Sequence, residues 1–191
     1  MARQAVLSGW TWLQSCFPRP LQAFHRFSET FHAHGYDPLP AFVEPAVGPY
    51  SRPDLAKAFP LVLTDTKTPH FIHSQYRHVG KLRRHEKDPR IEMHPDSAEA
   101  RGIKEGDWVE VRTPHAGARM RARFAKALDP RVVRATAGWW QACESLELPG
   151  YDALSDGGAN YNRMIANDGA DPVGGCTANK SYLCEIKPLA E

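Results

Sequence analysis

The chain has no run of about 18 apolar residues, the length that a bilayer-spanning helix needs. It has no marked excess of one charge. Lys plus Arg number 24 against 22 Asp plus Glu, and a formal net charge of +2 does not point to nucleic acid or an anionic membrane. Its four cysteines, Cys16, Cys143, Cys176 and Cys184, sit far apart, and none has the two-residue spacing of a zinc ribbon or redox motif. Unpaired thiols in a reducing compartment are the plain reading, and a Cys176–Cys184 pair stays open. The histidine pairs His32/His34 and His70/His73 have no further ligands at a recognised spacing, so no metal site is expected. No local motif supports a Ser/His/Asp arrangement, and no catalytic residue is assigned. Long repeats and low-complexity tracts are absent. Met1 to Phe17 is mildly apolar but lacks a clean apolar core and a small-residue cleavage site. It is read as a weakly ordered lead rather than a signal peptide, with a cytoplasmic setting, or a periplasmic one on export with a partner.

What is present suits a soluble globular domain with an extension. Of 191 residues, 42% are hydrophobic and 24% charged, and one core of that size buries enough apolar area to fold. Sixteen prolines imply many loops and short elements. Leu21, Phe24, Phe27 and Phe31 fall near helical spacing, so a helix is expected over Leu21 to His34, closed by Gly35. From Tyr36 to Pro60 the chain is Pro-rich and reads as an extended linker laid over the surface. The division expected is a lead and linker over 1–58 and a compact domain over 59–191.

In that domain Leu61 to Leu63 has the composition of a buried strand, broken by Thr64 to Pro69. Tyr76 to His85 reads as a short basic helix or loop, and Arg90 to Met93 as a strand. A short helix from Pro95 to Arg101 has Pro at its start and Gly102 past its end. Trp108 to Thr113 alternates with Val109 and Val111 on one face. Ala118 to Lys126 alternates with Met120, Ala122 and Phe124 opposite Arg119, Arg121 and Arg123, and the two strands read as a hairpin. The arginine stripe is read as a solvated strand face. Val132 to Ala135 and Ser181 to Ile186 complete the strands, with mostly loop over Glu144 to Asp171. Short strands, a few small helices and Pro/Gly turns indicate a mostly-β barrel.

Three stretches carry concentrated binding chemistry. The turn after the first strand holds Thr66, Lys67, His73, Ser74, Gln75 and Arg77. It is either a plain solvated loop or a place to hold a polar, phosphate-bearing ligand, with Lys67 and Arg77 able to neutralise phosphate. Gly138-Trp139-Trp140 follows a strand. Its aromatics belong either to the core or to a flat ligand. Asn160 to Lys180 is rich in Asn and Gly, which suits any surface loop and also the reading of amide and amino edges.

Five stretches then fall in a telling order. They are FSETFHAHGYDPLPAFVEP (Phe27 to Pro45), AFPLVLTDTKTPHFIHSQYR (Ala58 to Arg77), IEMHPDSAEARGIKEGDWVEVRTPHAG (Ile91 to Gly117), RVVRATAGWW (Arg131 to Trp140) and NYNRMIANDGADPVGGCTANKSYLCEIKP (Asn160 to Pro188). In order and spacing they resemble the C-terminal dinucleotide-binding domain of molybdopterin oxidoreductases, the superfamily of dimethyl sulfoxide reductase and formate dehydrogenase. The resemblance runs from about Phe24 to Pro188, and Met1 to Phe17 matches nothing in the family. It implies a double-psi β-barrel of the aspartate-decarboxylase-like kind. It also implies binding of a molybdopterin guanine dinucleotide through Thr66, Lys67, His73, Ser74 and Gln75. Trp139 or Trp140 would contact the pterin, with Asn162, Asn167 and Lys180 in the late loop. The metal, molybdenum or tungsten, would be held by upstream domains or a partner subunit, and the chain looks like a detached C-terminal piece that is not catalytically complete alone. The other class of function is a non-catalytic barrel module that docks a partner through the apolar helix at Leu21 to Phe31.

Overall fold

A computed structural model describes residues 27–167, 170, 171 and 173–189. The expectations for Met1 to Phe17, Cys16, Leu21 and Phe24 fall outside the described residues. The chain divides into two compact units, one ending at Val43 and one beginning at Glu44.

The described part of the first unit holds one short helix, α1 (Glu29–Ala33). Ser28 caps it, its Oγ accepting from the Phe31 backbone N–H at 3.2 Å. The helix buries no residue, and Phe27 and Phe31 are exposed. The start at Ser28 makes it shorter than the spacing of the phenylalanines suggests, because the cap sets that residue in extended backbone.

The second unit contains α2 (Pro53–Ala56), β1 (Leu61–Thr66), α3 (Gly80–Arg83) and β2 (Arg90–Met93). Then follow α4 (Pro95–Glu99), β3 (Trp108–Arg112), β4 (Gly117–Phe124), β5 (Val132–Thr136) and β6 (Tyr182–Pro188). The strands close into a barrel in the order β1-β5-β2-β4-β3-β6. β1 runs parallel to β5 and β2 parallel to β4, and all other neighbours are antiparallel. Two parallel pairs joined by crossing connections within six strands make the double-psi arrangement.

The barrel fills itself by period-two alternation. Leu61, Leu63, Ile91, Met93, Val109, Val111, Met120, Val133, Cys184 and Ile186 all point inward and are buried. Each large aliphatic side chain so buried contributes about 1.5–3 kcal/mol. Small residues, Ala118, Ala122 and Ala135, leave room for the larger ones. Phe124 breaks the expected alternation at 38% exposed. Pairing with β3 stops at Trp108 opposite Arg121, so Phe124 projects past the neighbouring strand. β1 runs on through Thr64 to Thr66, where a turn was expected, because β5 pairs alongside it as far as Thr136. Within the second unit, the start of its chain also meets the barrel. Val47 packs against the core and its carbonyl accepts from the Leu183 N–H at 3.3 Å. Cys143, Cys176 and Cys184 are free thiols, so the open Cys176–Cys184 pair is not formed. Among the described residues no helix is long and apolar enough to cross a membrane.

Register decides where the loops go. Thr66, the last residue of β1, lies beside Thr136, the last of β5. Tyr182, the first residue of β6, lies opposite Leu63. The exits of β1 and β5 and the entry to β6 therefore share one end of the barrel.

Candidate functional site

At that end the three loops enclose a cavity of about 270 Å³. The β1 exit lines it with Asp65, Thr66, Lys67, Thr68, Phe71, His73, Ser74 and Arg77. The β5 exit supplies Ala137, Gly138 and Trp140, and the late segment supplies Tyr161, Asn162 and Asn179.

The first wall is a strained turn. His73 and Tyr76 sit in the left-handed region at φ 52° and 70°, which costs a side-chain-bearing residue about 1–2 kcal/mol. Arg77 holds that turn. Its Nη1 donates to the His73 carbonyl at 2.7 Å and its Nη2 to the Ala137 carbonyl at 2.5 Å. The guanidinium lies 4.4 Å from the Phe71 ring centre and 4.5 Å from that of Trp139. Burial pushes Arg77 down to about 10, with Glu86 opposing the shift and Arg83 adding to it, so the group stays charged at neutral pH. Arg83, fully buried, donates to the Gln141, Pro149 and Lys87 carbonyls at 3.0, 3.1 and 2.7 Å and ties the surrounding loops together.

The second wall meets the first at Gly138. Its φ is 82°, and a Cβ there would lie 2.6 Å from the Ser74 Cα. Only glycine allows that approach. The third wall is held by side-chain bonds. Asn160 Oδ1 accepts from the Asn162 N–H at 3.1 Å and its Nδ2 donates to the Ala153 carbonyl at 2.8 Å. Tyr161 Oη donates to the Asn179 carbonyl at 2.6 Å, and burial pushes its phenol up, so it remains a donor.

Of the residues expected at the site, Thr66, Lys67, His73, Ser74 and Asn162 come together around the cavity. Gln75 is exposed beside it, its N–H bonded to the Ile72 carbonyl, and does not line it. Asn167 is exposed and also lies outside the lining. The Lys180 ammonium is ion-paired with Asp65 at the cavity wall. Trp139 is fully buried. Its Nε1 donates to Thr136 Oγ1 at 2.8 Å and its ring meets Phe71 edge-on. It belongs to the core, and the neighbouring Trp140 faces the cavity instead. The Arg77 guanidinium, expected to neutralise phosphate, is only 2% exposed and is spent on carbonyls. Tyr161, Phe71 and Thr68 line the cavity without having stood out in the sequence. An aromatic beside asparagine, or inside an apolar run, reads as core, and only the loop closure reveals otherwise.

The donor set comprises the Lys67 ammonium, the Ser74 and Thr66 hydroxyls, the His73 imidazole and the Asn162 and Asn179 amides, beside the flat Trp140. Among the described residues Lys67 has no ion-pair partner, whereas Asp65 is neutralised by Lys180. Such a pocket suits a ligand that is both anionic and edged with ring nitrogens and oxygens. Among the described residues no cluster of three or more His, Cys, Asp or Glu side chains suits a metal.

A six-stranded barrel with a polar, cationic cavity at its loop end defines a nucleotide-type ligand-binding domain. The profile of the family described as "Molydopterin dinucleotide binding domain" matches residues 61–183, and the chain belongs to that family. It is 34% identical over 143 residues to acetylene hydratase of Syntrophotalea acetylenica, a match covering 74% of this chain and 19% of that protein. It is 28% identical over 154 residues to dopamine dehydroxylase of Eggerthella lenta, covering 78% of this chain and 14% of that protein. The structure of acetylene hydratase from Pelobacter acetylenicus superposes with a TM-score of 0.73 at 27% identity, covering 89% of this chain and 24% of that one. The chain thus spans about a fifth or less of the length of these curated relatives. It is homologous to the C-terminal region of molybdenum and tungsten oxidoreductases, and its cofactor is a molybdopterin guanine dinucleotide. The donor set described above fits the phosphates and the polar ring edges of that group.

Proposed function

We propose that the loop end of the barrel holds one part of the dinucleotide, while a second protein surface closes over the rest. The observation that carries this is the convergence of three loops, which contribute residues from 65–77, 137–140 and 161–179, on one cationic cavity. Lys67, Ser74 and Thr66 take the phosphate side, His73 and Asn162 take ring edges, and Trp140 offers a flat face. The cavity of about 270 Å³ falls below the roughly 300–1,000 Å³ of pockets that enclose a drug-sized ligand. A dinucleotide with a pterin exceeds it, so the partner surface is part of the site. Ile72 and Tyr76, both exposed beside the lining residues, give that surface an apolar rim.

The partner is the upstream part of the same molybdoenzyme, as further domains or as a separate subunit. The dinucleotide-binding unit proper begins near Phe59. When bound, the metal centre supplies the redox chemistry, and the residues of this chain bind and orient the group that carries it. The free thiols Cys143, Cys176 and Cys184 favour a reducing, cytoplasmic setting.

Hydrogen exchange tests the reading. Adding the isolated metal-free dinucleotide, or the upstream domains loaded with it, should protect the backbone from Thr66 to Ser74 and around Asn162. Exchange in these segments that is unchanged at saturating cofactor would refute it.

A further inference from the structure

The Arg77 side chain bonds backbone carbonyls in two of the three cavity walls. Its Nη1 reaches the carbonyl of His73 and its Nη2 that of Ala137, residues that leave different strands. Each bonded residue is at or next to a positive-φ position. His73 is left-handed at φ 52°, and Ala137 precedes Gly138 at φ 82°. The guanidinium carbon lies 4.4 Å from the Phe71 ring centre and 4.5 Å from that of Trp139, two rings that meet each other edge-on. Its own N–H is held by Gln141 Oε1 at 3.2 Å and its carbonyl by Arg83 Nη1 at 3.3 Å. Among the described residues no carboxylate hydrogen-bonds it, and its Nε has no partner. A buried cation arranged in this way adds little as an ion pair. Its geometry spans a gap.

We infer that Arg77 is a positioning residue for the cofactor: it sets the spacing between the turn bearing His73 and Ser74 and the loop bearing Gly138 and Trp140. The inference rests on the cavity being the cofactor site. Without the strut, the left-handed turn relaxes toward ordinary backbone, and His73 and Ser74 leave the positions in which they line the cavity with Trp140. The loss then appears as ligand affinity, because preorganisation offsets the ordering that binding otherwise requires. Lysine does not replace it. An ammonium is a point charge and lacks the planar fork that reaches two carbonyls at once.

The test uses the full chain and the metal-free dinucleotide. Arg77→Lys keeps the charge and should weaken binding by about tenfold or more. The amides of His73, Ser74 and Gly138 should exchange faster, while those of β2, β3 and β4 stay unchanged. Binding within about twofold of the parent, or faster exchange spread evenly over the barrel, overturns the inference. Where that variant does not fold, the parent protein decides by NMR. Its Arg77 Hη protons should show hindered rotation and slow exchange with water, and a freely rotating guanidinium overturns the strut. A parent that fails to bind the dinucleotide sinks the site reading instead, and the exchange and rotation data still judge the strut.

Discussion

Replacing Gly138 with alanine perturbs the cavity through two separable terms. At φ 82° an L-residue suffers the left-handed penalty of about 1–2 kcal/mol. The added methyl would also lie 2.6 Å from the Cα, 2.9 Å from the Cβ and 3.3 Å from the N of Ser74. Those are largely backbone atoms, so no flexible side chain can swing aside, and overpacking of this kind costs about 1–3 kcal/mol. The sum is about 2–5 kcal/mol, a large fraction of the 5–15 kcal/mol that is typical of roughly domain-sized proteins. Gly102→Ala provides the control. Its φ is 66°, and nothing lies within 4 Å of a built Cβ, so only the first term applies. Urea unfolding of both variants, with the slopes compared to confirm two-state behaviour, should place Gly138→Ala below Gly102→Ala by about 1–3 kcal/mol. Equal destabilisation to within about 0.5 kcal/mol would refute the claim that Gly138 is required by contact with Ser74.

Two further outcomes follow. Lys67→Ala should leave the melting temperature unchanged, since the side chain is exposed and unpaired among the described residues, yet weaken dinucleotide binding and flatten its dependence on salt; an unaltered salt dependence would remove Lys67 from the phosphate site. Glu86 is buried against Arg90, Thr68, Arg77 and His70, and burial raises its carboxyl above the usual range. The folded state thus holds the proton more tightly than the unfolded one, so the stability from protonation is full below the unfolded value of about 4.3 and is lost as pH rises through the raised folded value. Glu86→Gln should abolish that slope, and melting curves that stay parallel for the two proteins between acid and neutral pH would contradict it.

The barrel was legible in the sequence because its signal is local. Val109 and Val111, or Met120 and Ala122, alternate in a way that only a strand explains. The short α4 announced itself through Pro95 and Gly102. Strand ends were less legible. Thr64 to Thr66 read as a turn and became strand, because pairing with β5 across the barrel overrode polar composition. The site was half legible for the same reason. Thr66, Lys67, His73 and Ser74 share one short segment, so their chemistry could be counted along the chain. Trp139 and Trp140 could not be told apart. Adjacent residues after a strand point to opposite sides, and which one faces inward depends on Thr136 and Phe71 as partners. The pair of hydrogen bonds from Arg77 was invisible, since backbone carbonyls leave no mark on residue identity.

The electrostatics of the cavity explain why an acidic residue is compatible with the anion site proposed there. Asp65 lines the wall with a side chain only 13% exposed, and a bare carboxylate there would oppose a phosphate across a few ångströms of partly dry space. Lys180 cancels that charge from the last loop before β6. The pair also ties the late loop to the end of β1, so neutralisation and closure of the third wall are one contact. With Asp65 and Lys180 offsetting each other, the remaining fixed charges of the lining are Lys67 and Arg77, both positive. Arg77 is held deep by carbonyls and rings, whereas Lys67 stands at the surface. The field is therefore permanent at the floor of the cavity and adjustable at its mouth. That division suits a ligand with rigidly placed rings and phosphates that extend toward the mouth.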